Sequence, residues 1–106
     1  MYRRFTTFYD AAGNKCAAGT PGATPRTRHV TTNLMIDLAD DLRSASARSY
    51  YVVYQAIPGK LALGPIARGT YRDAFECVEG QWRLCERVMA TDGVGDLSHH
   101  LNENPF

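Results

Sequence analysis

Alternation of apolar and polar positions dominates the second half of the chain. From Thr70 to Val88, T-Y-R-D-A-F-E-C-V-E-G-Q-W-R-L-C-E-R-V, two alternating runs meet at Glu79-Gly80, a pattern that predicts one β-hairpin closed by a two-residue turn. In that register Val78 faces Gln81, Cys77 faces Trp82, Phe75 faces Leu84 and Asp73 faces Glu86. One side then carries Tyr71, Asp73, Phe75, Cys77, Trp82, Leu84, Glu86 and Val88, apolar apart from two carboxylates. The other carries Arg72, Ala74, Glu76, Arg83, Cys85 and Arg87, with opposite charges across from one another, as a surface facing water or a partner does.

Upstream, the spacing of Phe5, Phe8, Tyr9 and Ala12 predicts a short amphipathic helix over Tyr2 to Ala12, stopped at Gly13-Asn14. Gly13 to Pro25, rich in Gly, Pro and Thr, reads as a mobile loop. Arg26 to Leu38 has the β-branched content of a strand, Ala39-Asp40-Asp41 of a turn, and Ser44 to Ile57 of a long strand with apolar residues on both faces. Such a strand suggests a sheet covered by helices on one side and by a partner on the other. Pro58-Gly59-Lys60 turns the chain, and Leu61 to Phe75 returns it with bends at Gly64-Pro65 and Gly69. The last strand is expected to end near Met89, leaving Gly93 to Phe106 as a polar tail with one helical turn around Leu97 to Leu101. The pattern is one helix followed by a four-strand antiparallel meander, in a single domain over residues 1–106.

Composition narrows the function. The chain has 106 residues, 44% hydrophobic and 22% charged, with a net charge of +1, which fits a globular domain with a core of its own. Its Arg residues are scattered and Lys occurs twice, so nothing argues for nucleic acid or an anionic membrane. No apolar run reaches the roughly 20 residues that span a bilayer, and M-Y-R-R-F-T-T-F-Y-D has no signal-peptide core, so a cytoplasmic location is expected. Cys16, Cys77 and Cys85 form an odd set, and the hairpin register puts the last two on opposite faces, so reduced thiols are expected.

Several residues are candidates for chemistry. His29, if it faces a concavity, is a general acid or base, because imidazole titrates near pH 6.5; otherwise it is a hydrogen-bonded strand histidine. Asp73 and Glu86, opposite each other on an apolar face, would form a coupled acid–base pair. The alternative is an ion pair with Arg48 or another basic group, or a bulge that separates them. Tyr50, Tyr54, Tyr71, Phe75 and Trp82 would line a pocket for a hydrophobic ligand, or serve as core and interface aromatics. His99 and His100, adjacent on a polar tail, lack the spacing of a metal site, and no phosphate loop, nucleophile elbow or Cys-x-x-Cys motif is present. An uncovered apolar sheet face predicts a homodimer.

The series R-T-R-H-V-T-T-N (26–33), A-R-S-Y-Y-V-V (47–53), G-T-Y-R-D-A-F (69–75), G-Q-W-R-L-C-E-R (80–87) and G-D-L-S-H-H-L (95–101) resembles the C-terminal two-thirds of a SnoaL-like domain. That family belongs to the cystatin-like, nuclear transport factor 2-like α+β superfamily. The resemblance implies an α+β fold with a cone-like curved antiparallel sheet of about four strands and one N-terminal helix. It also implies a concave pocket for a small hydrophobic molecule, no cofactor, and dimerisation through the convex sheet face or over the open cone.

Full-length members begin with two helices and a strand that close the cone, and the resemblance here starts at the third helix. In the scytalone dehydratase branch a Tyr and an Asp of that first part work with a His in a T-x-H strand motif, which His29 matches. A second pocket His of that branch aligns with Tyr54, and its pocket Ser and Asn fall near Gly69 and Tyr71, so the resemblance does not carry over an intact dehydratase site. Two functions follow. One is a non-catalytic binding or assembly module, like the β subunits of ring-hydroxylating dioxygenases, which the resemblance slightly favours. The other is a cofactor-independent lyase or isomerase using His29 with Asp73 or Glu86 for proton transfer.

Overall fold

Long alternating runs separated by short turn sequences leave the chain little choice but an antiparallel meander, and a computed structural model, describing residues 6–101, has that form. Its main sheet is four-stranded, in the order β3 (Thr27–Leu38), β4 (Ser44–Ile57), β5 (Leu61–Val78) and β6 (Gln81–Val94). The turn at Glu79 and Gly80 has φ of 53° and 78°, the left-handed pair that matches strand twist in a two-residue hairpin. A second, two-stranded sheet pairs β1 (Phe8–Tyr9) with β2 (Lys15–Cys16).

The expected N-terminal helix is not formed by the described residues; its first part, residues 2–5, lies outside them. Turn chemistry overrides the helical spacing. The Asp10 carboxylate accepts from the amides of Ala12 and Asn14, and Gly13, at φ 89°, packs where a Cβ would sit 2.4 Å from the Pro58 carbonyl oxygen. These features reverse the chain into a hairpin instead of a helix. The segment expected as a loop, Gly13 to Pro25, consequently contains β2 and is bonded to β1 through Tyr9 and Thr24. No helix among the described residues is long and apolar enough to cross a membrane. Cys16, Cys77 and Cys85 are all free.

Only one face of the main sheet is buried, contrary to the expectation of two-sided burial of Ser44 to Ile57. The odd-numbered residues of β4 from Ala47 to Ile57 are buried, and Arg48, Tyr50 and Tyr54 of the opposite face are exposed. We call the first face inner and the second outer. The core cluster on the inner face is Tyr51, Val53, Ile66, Tyr71 and Leu97, with Ala67 and Leu101 against it. β6 runs on to Val94, beyond the expected end at Met89, because Gly93 and Val94 continue to pair with β5. The segment after it then folds back over the inner face as a single turn, with the Leu101 and His100 amides donating to the Leu97 carbonyl.

Buried polar groups tie this closure down. The Tyr9 hydroxyl donates to the His99 carbonyl, and Gln55, 1% exposed, donates its amide to the carbonyls of both Pro25 and His99. Such bonds matter more for the cost of losing them than for their net gain. Among the described residues, none gives the opposite end of the sheet such cover. The molecule measures 52 × 28 × 21 Å with a radius of gyration of 17.0 Å, against about 13 Å for a compact domain of about 100 residues.

Gly69 sets the centre of the inner face. A Cβ there would lie 2.0 Å from the Ala90 carbonyl oxygen and 2.7 Å from the Tyr51 ring, so only glycine lets Tyr51 cross β5 and reach β6. Its hydroxyl shares a hydrogen bond with Thr91 at 2.5 Å. Gly69→Ala should therefore cost about 2–3 kcal/mol by overpacking. Gly64→Ala, where an added Cβ meets nothing within 4 Å, should change stability by no more than about 0.5 kcal/mol. Urea denaturation of both variants checks the pair, and equal losses would contradict this account of Gly69.

Candidate functional site

The hairpin register holds as far as Phe75 opposite Leu84 and then shifts. Ala74 pairs with Glu86, and Asp73 pairs with Arg87, which leaves Cys85 as an extra residue on β6. Its thiol donates to the Ala74 carbonyl at 3.2 Å. One inserted residue moves every following side chain of β6 to the other face. Glu86 is thereby placed on the outer face and does not oppose Asp73, so the coupled carboxylate pair is not assembled. Arg87 and Met89 take up the inner-face positions expected for Glu86 and Val88.

Asp73 is 6% exposed, and a buried carboxylate needs a countercharge. It receives one: Arg87 donates from Nε to Oδ1 at 2.7 Å and from Nη2 to Oδ2 at 3.0 Å, the fork-to-fork geometry of a strong charge-assisted pair. Hydrogen bonding to Asp73 and its negative charge raise the Arg87 pKa above its usual value. The guanidinium also lies 4.2 Å from the Tyr71 ring centroid, and Tyr71 stacks on Tyr51 at 4.8 Å with 28° between planes. Asp73, Arg87, Tyr71, Tyr51 and Thr91 thus form one continuous path across the inner face. Of the alternatives to a carboxylate pair, a basic group other than Arg48 neutralises Asp73 and a bulge separates it from Glu86; Arg48 itself stands on the outer face opposite Arg72. The sequence cue to Arg87 is indirect: a carboxylate on an apolar face demands a cation nearby.

His29 pairs with Val53, which puts it on the inner face, and it is exposed. Among the described residues no carboxylate lies within ion-pair distance of it. Its neighbour is His100, which is buried; burial first, and then the charge of His29, lower the His100 pKa below the ordinary histidine value. His99 lies 3.6 Å from the Asp96 carboxylate, whose pKa is lowered chiefly by hydrogen bonds from the Ser98 hydroxyl and amide. No group of three or more His, Cys, Asp or Glu among the described residues is placed to hold a metal ion.

The aromatic candidates divide between faces. Tyr71, Phe75 and Trp82 share the inner face, since Trp82 opposes Cys77 and Phe75 opposes Leu84. Tyr50 opposes Thr70, and Tyr54 opposes Pro65, so both stand on the outer face and cannot line the same pocket. The sequence pattern of Ser44 to Ile57, apolar on both faces, concealed this division.

Two outcomes test the site. Breaking a buried pair at one partner costs about 3–5 kcal/mol, but Arg87 is half in water, so Arg87→Met should cost about 2 kcal/mol by stranding the buried carboxylate. Asp73→Asn, which strands no anion, should cost about 1 kcal/mol, and the order of the two losses in chemical denaturation is the check. For His100, the unfolded chain takes up a proton near pH 6.5, whereas folded His100 takes it up only at lower pH. Between those values the unfolded state binds more protons, so stability falls as pH drops, by up to about 1.4 kcal/mol per unit. His100→Gln should flatten that slope below about pH 6.5 and leave a difference that no longer varies with pH above about pH 7.5, as read in urea titrations across the range.

Among curated proteins and among solved structures nothing matches the chain significantly. The profile of the SnoaL-like domain matches residues 3–88, which spans β1 to β5 and most of β6. Together with the four-stranded antiparallel meander, this places the chain in the SnoaL-like domain family of the nuclear transport factor 2-like superfamily.

Proposed function

We propose that this SnoaL-like chain is a non-catalytic binding module that holds a small hydrophobic molecule against the inner sheet face and acts as a homodimer. The observation that carries the reading is the bidentate Arg87–Asp73 pair. Both carboxylate oxygens of Asp73 are taken up by the Arg87 fork, which leaves this buried group poorly placed to pass a proton to or from a ligand. Around it, Ile36, Leu38, Trp82, Leu84 and Met89 are about half exposed or more, apolar area suited to a ligand with few polar groups. The same uncovered area, on a molecule this elongated, supports self-association.

A second reading, a cofactor-independent lyase or isomerase, has one observation in its favour. His29 is exposed on the inner face beside His100, in reach of a ligand lying there. In that reading His29 alone carries the proton.

Native mass spectrometry and titration with the neutral fluorophore N-phenylnaphthylamine separate the two. The binding reading expects a dimer, a Trp82→Ala loss of about tenfold in affinity, corresponding to about 1.4 kcal/mol, and a His29→Ala variant within twofold of the parent. A monodisperse monomer, or an affinity indifferent to Trp82, contradicts it. Turnover of a hydrophobic carbonyl compound that disappears in His29→Ala would establish the second reading instead.

A further inference from the structure

Arg48 and Arg72 are direct cross-strand partners on the two central strands, β4 and β5. Like charges in that position repel, because directly opposed Cβ atoms stand only about 5 Å apart. Two other arginines of this sheet have their countercharges: Arg68 pairs with Asp92 at 3.3 Å and Arg87 with Asp73 at 2.7 Å. Among the described residues, neither Arg48 nor Arg72 has a carboxylate within 4.0 Å. Their outer-face neighbours across the ladder are Met35 and Val88, and along their own strands Ser46, Tyr50, Thr70 and Ala74. None of these is acidic; the acidic residues of this face that stand diagonal to the arginines, Asp37 opposite Ser46 and Glu86 opposite Ala74, form no ion pair with either.

The two arginines border a cleft of about 130 Å³ that Asn33, Met35, Tyr50 and Thr70 line with them, together with Ser49 and Tyr71 of the two central strands. The recess exists because β3 breaks register between Thr32 and Met35, with Asn33 at φ 54°. Its walls offer hydrogen-bond donors in excess: two guanidinium forks, an amide and two hydroxyls. The volume is about four times the roughly 30 Å³ that one water occupies, room for one anionic head group, with the rest of the molecule outside against half-exposed Tyr50 and Met35.

We propose that this cleft is a binding site for the oxyanionic group, carboxylate or phosphate ester, of a small molecule with an aromatic or aliphatic body. Paired guanidinium forks match the planar carboxylate and the phosphate oxygens alike. The bound anion replaces the mutual repulsion of the arginines by two attractions. The site lies on the face opposite His29, Trp82 and the Asp73–Arg87 pair, and stands independently of what the inner face binds.

Calorimetric titration with benzoate and with phenyl phosphate tests it, at low and at physiological ionic strength. At least one probe should bind, Arg72→Leu should weaken it by at least tenfold, and Arg83→Leu, on the same face but outside the cleft, should leave it within twofold. A preference for benzoate assigns the site to carboxylates, and one for phenyl phosphate to phosphate esters. With no ligand present, Arg72→Leu should melt at or above the parent temperature, because it relieves repulsion; a structural role would lower it. Binding of neither probe, or unchanged binding in Arg72→Leu, overturns the proposal. So does a dimer that dissociates in Arg48→Leu and Arg72→Leu, since the countercharge would then belong to a second copy of the chain.

Discussion

The inner face depends on the absence of a side chain at Gly69. Because nothing projects there, the Tyr51 ring crosses from β4 over β5, packs on the backbone and reaches Thr91 on β6. That crossing puts it in stacking range of Tyr71, and Tyr71 in turn offers its face to the Arg87 guanidinium. Aromatic stacking and a cation over a ring are each worth about 1 kcal/mol. Their larger effect is geometric, since they orient the guanidinium that neutralises Asp73.

The second determinant is the single inserted residue at Cys85. A bulge changes no composition and little area, yet it exchanges which of two adjacent, oppositely charged residues meets Asp73. With Glu86 there, the face would hold two carboxylates sharing a proton, an arrangement suited to acid–base chemistry. With Arg87 there, it holds a satisfied ion pair. A function read from facing residues on this hairpin therefore turns on one register step.

The closure of the sheet is asymmetric. At one end Tyr9, Gln55 and the turn from Leu97 to Leu101 knit the N-terminal hairpin and the C-terminal segment onto the inner face. At the other, the hairpin tip and the turn between β3 and β4 project with Leu38, Leu42, Trp82 and Leu84 half exposed or more. A sheet needs a second layer to bury its apolar face, and the described residues supply that layer over only part of its length.

The sequence by itself determined the four strands of the main sheet and the turns between them, apart from the last strand's end. Ser44 to Ile57 is bounded as its composition indicates, Glu79-Gly80 makes the two-residue turn, and Gly64-Pro65 and Gly69 lie beside the register shifts of β5. These are local properties, set by β-branched content, by residues that tolerate positive φ, and by alternation. The four-strand meander, the family resemblance and the shared face of Phe75 and Trp82 followed from them, whereas the face that His29 takes was left open by the sequence and is set by its pairing with Val53.

Tertiary structure alone decided the rest. Alternation predicts facing pairs only up to the next bulge, and nothing local in L-C-E-R-V marks Cys85 as the inserted residue. From Thr6 onward, the helical spacing toward Ala12 lost to the Asp10 turn and to Tyr9 reaching His99, 90 positions away. Division of Tyr50 and Tyr54 from Tyr71 by the sheet, and the meeting of Arg48 with Arg72 across it, likewise depend on which strand lies beside which. Pairing between strands distant in the chain is a long-range choice, and local propensity carries no record of it.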